Sequence, residues 1–435
     1  MTPYASIADR GPLARGASEE ADEPKPVQRL AVVGLGLMGL GIAQAAAAAG
    51  LRVALIARDA QSALAGSRRL AAQIERQISR GRISAAAGTA LLANVAPSPD
   101  DHSLADCDIA IESVDEDRDV KTEVLRRIEA ATPAGALIAA NTSGLAIAGL
   151  AAALRHPERF IGLHFFSPAE RMALVEVVRG EATALSTQRA ALAFVDRLGK
   201  RPIAVRDGPG FFTSRVFAAY LDEALAMVGE GVAPVSIEDA AIAGGRAIGP
   251  LATLDEVSLR LNFQQGLQAR ADGLDERFRR SLAMPILARM IEIGRGGRRL
   301  GGGFYDYPSA GAKELWSGLT QAFKPAARPP PVETIRLRLR CAEAMEALRC
   351  LEEGVIFSAD DADVASTLGL GFPKNTGGVL RWVESMGVDK FVAACDELAG
   401  ACGPRFEPSA WLREAARRGQ ALTAWRAREP PGSCE

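Results

Sequence analysis

The sequence contains few histidines, and its cysteines form no recognisable pattern. Only three histidines occur among 435 residues, and none of the six cysteines belongs to a Cys-x-x-Cys pair. A chain of this length can bury a sizeable core without covalent cross-links. We therefore expect reduced thiols and no metal site.

Charge and hydropathy exclude further classes of protein. The 51 basic and 53 acidic side chains nearly balance, which argues against nucleic acid or an anionic membrane as the main partner. The polar triplet Asn141-Thr142-Ser143 interrupts the longest apolar stretch, so this stretch is not a membrane span. Residues 1–26 contain four prolines and no apolar segment, and we expect a disordered tail instead of a signal peptide. These features indicate a cytoplasmic protein.

A glycine-rich turn follows the first apolar strand, residues 30–33. The turn reads Gly34-Leu35-Gly36-Leu37-Met38-Gly39, and an alanine-rich helix (40–49) and a second strand (51–57) come next. This order within about thirty residues predicts a dinucleotide-binding unit, in which the three glycines allow a tight turn, pyrophosphate approach and close helix packing. The helix N-terminus would attract the phosphates. A glycine-rich turn without a ligand is the alternative.

The residue that would select the cofactor is unusual. The end of the second strand carries Ala57 where an acidic residue would bind the ribose 2′-hydroxyl of NAD, and Arg58 follows. A small residue followed by arginine can accept the 2′-phosphate of NADP. Arg58 as a solvated surface residue, with NAD bound less tightly, is the alternative. Either NAD or NADP is therefore expected.

Other polar residues also follow predicted strands. Glu116 and Lys121 come after the strand 108–112, and Ser143 comes after the strand 136–140. The carboxyl ends of strands in an open α/β sheet form the edge where ligands bind. We therefore expect these side chains to lie at one site.

His164 and Glu176 are the ionisable residues of two successive apolar strands. Because an unpaired buried charge is costly, the two strands are expected to pair as a hairpin that brings these side chains together. We expect the hairpin to close at Phe166 and Ala173, which places His164 opposite Val175 with Glu176 as a close neighbour. A histidine held by a carboxylate is the minimal general-base unit, and its position at the ligand edge favours catalysis over a pair that only satisfies itself.

A predicted helix over residues 60–81 carries several arginines, including Arg68 and Arg80. A charged helix face is usually only solvated. Contact of these two arginines with the phosphates of a long anionic substrate is the sharper hypothesis.

The C-terminal half contains an internal repeat of helical segments. Arg215, Glu223-Ala224-Leu225 and Glu230-Gly231-Val232 recur 123 residues later as Arg338, Glu346-Ala347-Leu348 and Glu353-Gly354-Val355. Asp239 and Gly249-Pro250 recur loosely as Asp363 and Gly377-Gly378. One spacing kept through seven identities indicates duplication.

The predicted fold is thus an α/β Rossmann-type dinucleotide-binding domain followed by a duplicated all-α helical domain. The expected segments are a disordered tail (1–26), the Rossmann domain (27–207), the first helical domain (208–306), a linker (307–331), the second helical repeat (332–427) and a short tail (428–435).

The sequence resembles the 3-hydroxyacyl-CoA dehydrogenase family over residues 27 to about 425. The second repeat is similar to that of the bacterial multifunctional β-oxidation subunit, and we expect this protein to lack the hydratase half of that subunit. The resemblance rests on these segments: Gly34-Leu-Gly-Leu-Met-Gly39, Glu116 with Lys121, Asn141-Thr142-Ser143, His164-Phe165-Phe166, Glu176, Pro209-Gly210-Phe211, Gly303-Phe304-Tyr305 and Gly369-Leu-Gly-Phe-Pro373.

The resemblance implies reversible oxidation of (S)-3-hydroxyacyl-CoA to 3-ketoacyl-CoA. His164 would be the base, Glu176 would orient its ring, and Ser143 would hydrogen-bond the substrate oxygen. Glu116 and Lys121 would contact the cofactor. Possible partners are separate hydratase or thiolase subunits, and because the second repeat could fill the family's dimer surface, we expect a monomer or weak dimer.

Several positions depart from the family pattern. Ala57 replaces the usual aspartate, while Ser167 and Ser214 replace asparagines that would serve the cofactor and the substrate. The segment 251–262 lacks the usual glycine. Two alternatives therefore accompany the dehydrogenase: an NADPH-dependent 3-ketoacyl-CoA reductase, and a weakly active or idle acyl-CoA-binding homologue.

Overall fold

A computed structural model of the chain describes residues 26–309 and 311–422. The chain forms two compact units, and the division between them falls between Phe211 and Phe212. Apart from residue 26, the expected terminal tails lie outside the described residues, and so does Cys434. The five described cysteines are free thiols. No helix in the described ranges is long and apolar enough to cross a membrane, and no metal-binding cluster occurs among the same residues.

The first unit is built on one sheet of eight described strands, in the order β3-β2-β1-β4-β5-β6-β7-β8. Strands β1 to β6 run parallel, β7 is antiparallel to β6, and β8 is parallel to β7. The strands are β1 (Arg29–Val33), β2 (Arg52–Ile56), β3 (Val95–Ser98), β4 (Ile109–Glu112), β5 (Leu137–Ala140), β6 (Phe160–Phe165), β7 (Leu174–Arg179) and β8 (Arg201–Arg206).

Apolar strands explain why helices cover this sheet. Strands β4, β5 and β6 are buried at every position, as parallel strands with both faces covered should be. Pro97 lies in β3, at the sheet edge, where the missing N–H costs no internal ladder bond. The helices are α1 (Leu37–Ala48), α2 (Ala60–Ser79), α3 (Ala85–Ala93), α4 (Arg118–Ala131), α5 (Ile147–Ala151) and α6 (Leu185–Arg197). The predicted Rossmann-type unit is confirmed.

The second unit is helical apart from a small two-stranded sheet. Its strands are β9 (Tyr305–Asp306) and β10 (Glu314–Leu315). The helices are α7 (Thr213–Gly229), α8 (Pro234–Ala243), α9 (Pro250–Val257), α10 (Leu259–Ala271), α11 (Met284–Glu292), α12 (Leu319–Ala322), α13 (Val332–Glu352), α14 (Ala359–Leu368), α15 (Val379–Met386), α16 (Val388–Cys402) and α17 (Ala410–Arg417).

The duplication is visible as a reciprocal set of ion pairs between α7 and α13, including the residue that follows each helix. Arg215 pairs with Glu346 and with Glu353, the latter at 2.6 Å. Its repeat equivalent, Arg338, pairs with Glu223 at 2.5 Å and with Glu230 at 2.6 Å. Residue i of one copy thus meets residue j of the other, and j meets i, which is the pattern of a two-fold interface.

The loose part of the predicted repeat needs a correction. Glu238, not Asp239, corresponds to Asp363: a Glu238 carboxylate oxygen accepts the Leu251 N–H at 2.7 Å, and Asp363 accepts the Leu380 N–H at 2.7 Å. Asp239 is exposed. In each copy the buried carboxylate accepts a backbone N–H at the start of the next helix, α9 or α15. The exposed Asp239 side chain does not lie on this buried side.

The glycines of this repeat explain the pairing. A Cβ on Gly249 would meet the Glu238 carboxylate at 2.4 Å, and a Cβ on Gly378 would meet the Asp363 side chain at 2.3 Å. Gly249 therefore corresponds to Gly378, one residue away from the expected register. Close approach of a carboxylate to a helix N-terminus requires glycine at both places.

Ser258 takes the place of the glycine that the sequence lacks. It lies between α9 and α10 at φ 99° and ψ 118°, and its counterpart Gly387, between α15 and α16, has φ 93° and ψ 125°. A side chain at such positive φ is strained by about 1–3 kcal/mol. The Ser258 hydroxyl recovers part of this by accepting the Leu261 N–H at 3.3 Å.

We expect Ser258→Gly to stabilise the protein by about 1 kcal/mol, because relief of strain outweighs a cap that glycine replaces at a cost of only a few tenths. In a thermal unfolding scan this is a rise of roughly 2–4 °C. Gly387→Ser is the matched variant and should lower the melting temperature. A decrease with Ser258→Gly would contradict the strain.

Candidate active site

The glycine-rich turn joins β1 to α1 as the sequence predicts. Gly34 has φ 115°, and a Cβ there would lie 2.4 Å from the Ser113 carbonyl oxygen. A Cβ on Gly39 would lie 2.0 Å from the Gly34 oxygen. Two of the three glycines are thus required by the fold itself.

The third glycine leaves room for a ligand. A Cβ on Gly36 would find no atom within 4 Å, and Gly36 and Leu37 are exposed. Helix α1 begins at Leu37, three residues before the predicted start, and Gly36 caps it with no side-chain hydrogen bond and no acidic residue in the first turn. Its positive end therefore suits a pyrophosphate, and the site fits a dinucleotide.

The two residues that the sequence predicts to select the cofactor follow the end of β2. Ala57 is buried and Arg58 is 86% exposed in its side chain. The Arg58 Nε lies 3.2 Å from Asp59 and 3.3 Å from the Ser62 hydroxyl. The N–H of Ser62 donates to Asp59 and, with Arg58 nearby, lowers the pKa of that carboxyl. An ionised carboxylate thus stands beside the arginine, which sequence reasoning did not consider.

His164 and Glu176, the predicted catalytic pair, lie in the neighbouring strands β6 and β7. They are directly opposed in the β6–β7 pair, with Phe165 opposite Val175, so the expected register was wrong by one residue. The connection runs from 166 to 173, two residues longer than expected, because β6 ends at Phe165 and β7 begins at Leu174. Opposed residues of an antiparallel pair share one sheet face, which brings the side chains into direct contact.

The contact itself is short and buried. His164 Nδ1 lies 2.6 Å from Glu176 Oε2, with side-chain exposures of 10% and 0%. The His164 ring packs 4.4 Å from the Phe166 ring and 6.2 Å from the Phe211 ring, measured between centroids. Since Nδ1 faces the carboxylate, Nε2 is the ring atom through which a substrate proton can be exchanged.

Ser143 belongs to a hydrogen-bonded cluster that follows β4 and β5. The Glu116 Oε1 accepts the Thr142 hydroxyl at 2.7 Å, the Ser143 N–H at 2.9 Å and the Ser143 hydroxyl at 3.2 Å. The Asn141 side chain joins this loop to β6 by accepting the Phe165 N–H at 3.2 Å. The Ser143 loop and the strand of His164 are therefore connected.

Lys121, predicted to contact the cofactor, lies in the interior of the first unit beside two carboxylates. It is fully buried, and its Nζ lies 2.9 and 3.0 Å from the two Glu112 oxygens and 3.4 Å from Glu116 Oε2. Sequence reasoning missed Glu112, although it is an ionisable residue in an apolar strand, which is the signal that indicated Glu176. Burial raises the pKa of Glu112 to about 7, and Lys121 opposes that rise.

The remaining predicted site residues lie in three other segments. Ser167 is exposed in the β6–β7 connection, and Arg68 and Arg80 are exposed on and just after α2. Ser214 is half-buried in α7, in the second unit. Their roles stay predictions.

A dinucleotide turn and a buried His–Glu pair at the same sheet edge define a nicotinamide-dependent oxidoreductase. Residues 29–208 match the family description "3-hydroxyacyl-CoA dehydrogenase, NAD binding domain", and residues 210–307 match its C-terminal domain. The chain therefore belongs to the 3-hydroxyacyl-CoA dehydrogenase family, as the resemblance indicated.

Individual relatives agree with this assignment. The fatty acid oxidation complex subunit alpha of Pseudomonas putida is 32% identical over 415 residues, covering 94% of this chain and 58% of the relative. The chain thus spans little more than half of that relative. The 3-hydroxybutyryl-CoA dehydrogenase structure from Escherichia coli K12 has a TM-score of 0.78 at 27% identity, covering 91% of this chain and 99% of the other. The (S)-3-hydroxybutyryl-CoA dehydrogenase structure from Ralstonia eutropha has 0.62 at 33%, covering 65% and 100%.

Proposed function

We propose that this protein interconverts (S)-3-hydroxyacyl-CoA and 3-ketoacyl-CoA, with His164 and Glu176 as the general acid/base pair. The observation that carries the proposal is the 2.6 Å contact between His164 Nδ1 and the buried Glu176 carboxylate at the ligand edge. Related proteins named as 3-hydroxybutyryl-CoA dehydrogenases support the substrate class.

The chain's own groups suit this chemistry. The nicotinamide cofactor, held by the glycine-rich turn, would supply the hydride acceptor. His164 Nε2 takes the proton of the 3-hydroxyl, and the Glu176 carboxylate stabilises the imidazolium that results. The Ser143 hydroxyl, which donates to Glu116 without substrate, turns its single proton to the substrate oxygen, while the Ser143 N–H keeps its hydrogen bond to Glu116. In the reducing direction His164 returns the proton.

A rate matrix tests this function. The full chain should oxidise a 3-hydroxyacyl-CoA and reduce acetoacetyl-CoA, with chain length varied from short to long and each cofactor supplied separately. No turnover with any acyl-CoA would leave the idle acyl-CoA-binding homologue as the better explanation.

NADPH-dependent reduction is the second candidate, supported by Ala57 and by the exposed Arg58 guanidinium at the end of β2. The neighbouring Asp59 carboxylate weakens that support, since it would repel a 2′-phosphate. Equal or better use of NADH than of NADPH by the unmodified protein would reject this candidate.

Restoring the acidic residue should move the cofactor preference. We expect Ala57→Asp to shift the ratio of kcat/KM for NADH over NADPH toward NADH by about 10- to 100-fold, because a hydrogen bond to a charged group is worth about 1.5–3 kcal/mol. Initial rates with acetoacetyl-CoA measure the ratio. Arg52→Ala, an exposed position at the opposite end of β2, is the control and should leave it unchanged.

We also propose that the protein is a monomer or a weak dimer. Support comes from the reciprocal α7–α13 ion pairs, which occupy within one chain the kind of two-fold surface that single-repeat relatives are expected to use. Light scattering should give a mass close to 45.8 kDa. A tight dimer joined through residues 208–306 would contradict this. The relatives' name, a complex subunit, makes separate partner subunits a further expectation.

A further inference from the structure

Among the described residues of the first unit, Glu112 and Lys121 form the most deeply buried ion pair, and Glu112 has no role in the proposed chemistry. Both side chains are 0% exposed. Moving two charges out of water is unfavourable, and well-packed apolar residues often stabilise a fold as well or better. Such a pair therefore calls for an explanation beyond stability.

Lys121 connects the interior of the sheet to the ligand edge. Its ammonium reaches Glu112, the Asn141 carbonyl oxygen at 2.9 Å and the Glu116 Oε2 at 3.4 Å. Glu112 is fixed in turn by the Val114 N–H, which donates to its Oε1 at 2.6 Å. The ammonium is thus held at a defined place next to Glu116, whose side chain is 31% exposed.

Glu116 connects Lys121 to Ser143. One Glu116 oxygen faces Lys121, and the other accepts both the N–H and the hydroxyl of Ser143. The same oxygen accepts the Thr142 hydroxyl, so three donors converge on it. Backbone and side chain of Ser143 are therefore both anchored to a carboxylate that a buried cation holds.

We propose that Glu112 is a positioning residue, which fixes the Ser143 hydroxyl through Lys121 and Glu116. This inference rests on the proposed function, in which Ser143 holds the substrate oxygen. The acting contact is that of Ser143, and Glu112 itself does not touch the substrate. A reacting group displaced by about 1 Å can cost up to about 100-fold in rate, so a loosened Ser143 should act on turnover.

The test compares Glu112→Gln, Ser143→Ala and the variant carrying both changes. Glu112→Gln should lower kcat by about 10- to 100-fold, with a much smaller change in the KM for the acyl-CoA. In the Ser143→Ala background the same change should lower kcat no further, because the group that it positions is gone. Independent losses that multiply in the combined variant would overturn the proposal.

A charge-neutral pair of changes separates positioning from stability. Glu112→Gln with Lys121→Met leaves no unpaired buried charge, so the melting temperature should recover relative to Glu112→Gln alone. The kcat should stay low, because Lys121→Met removes the cation beside Glu116. Recovery of kcat together with stability would show a merely structural pair and reject the inference.

A control variant and crystal structures of the variants distinguish a loss of positioning from a loss of stability. Thr183→Val removes a buried hydrogen bond to the Phe160 oxygen, 2.7 Å, at the opposite end of β6, and should lower stability without lowering kcat. Crystal structures should show the contact between Ser143 Oγ and Glu116 Oε1 in the Thr183→Val protein and its loss in the Glu112→Gln protein. Retention of this contact in the Glu112→Gln protein would overturn the positioning role, whether or not any acyl-CoA is turned over. Absence of turnover in the unmodified protein is a separate outcome, which would reject the proposed function.

Discussion

Replacing His164 by alanine is expected to lower kcat for 3-hydroxyacyl-CoA oxidation by about 10²- to 10⁴-fold, the usual contribution of a positioned general base. The physical reason is that His164 is held by Glu176 at 2.6 Å and packed against Phe166, so its ring is already oriented for proton transfer. Steady-state rates at saturating cofactor measure the loss. An unchanged kcat would remove His164 from the mechanism.

A surface pair in the same unit provides the control. His156 Nδ1 lies 3.2 Å from Glu158, with side-chain exposures of 63% and 57%. It repeats the His–Glu chemistry without burial and away from the ligand edge. His156→Ala should therefore leave kcat unchanged, which excludes a general effect of losing a histidine.

Replacing Glu176 by glutamine should give a smaller loss than replacing His164. Glutamine keeps the shape of the side chain but cannot stabilise the imidazolium by charge. The two losses should not multiply in the combined variant, since Glu176 acts through His164. Equal and independent losses would mean that Glu176 has a separate role.

The second large effect is expected in the helical unit. Glu223→Gln should destabilise the protein by about 3 kcal/mol, because its carboxylate, 1% exposed, faces both Arg338 at 2.5 Å and Arg405 at 2.6 Å. Among the described residues, the two guanidinium groups would then retain only the half-exposed Glu230 as a charged partner. For a unit of this size the melting temperature should fall by roughly 6–12 °C.

The control for this prediction is an exposed ion pair on α11. Glu292 lies 2.9 Å from Arg289, with side-chain exposures of 68% and 45%. Such surface pairs contribute about 0–1 kcal/mol, so Glu292→Gln should change the melting temperature very little. If both variants unfold at the temperature of the unmodified protein, the buried ion pairs do not join the two repeats.

The repeat could be recognised from the sequence because seven identical residues recur at one constant spacing in the two helical segments. Arg215 and Arg338 lie one repeat apart, and so do their partners Glu223 and Glu346. The sequence did not indicate that each arginine reaches the glutamates of the other copy. That pairing depends on how α7 packs on α13, which sequence identity between the copies does not contain.

The weaker part of the repeat shows where spacing alone fails. Asp239 and Asp363 are the same residue type, and the sequence paired them for that reason. In the structure the residue equivalent to Asp363 is Glu238, because the helix start that each carboxylate must reach lies on the buried side. The longer Glu238 side chain, one residue before Asp239, makes the same hydrogen bond to the helix start as Asp363.

The sequence by itself determined which chemical groups the ligand edge would carry. The order of strand, Gly34-x-Gly36-x-x-Gly39 and helix, and the ionisable residues His164 and Glu176 in apolar strands, follow from local pattern and from the cost of burying charge. Tertiary structure alone decided the partners. It set His164 directly opposite Glu176 through the length of the connection between β6 and β7. It also turned Lys121 inward to Glu112, because an ammonium on the inner face of α4 is stable only beside a carboxylate, and that carboxylate comes from the neighbouring strand.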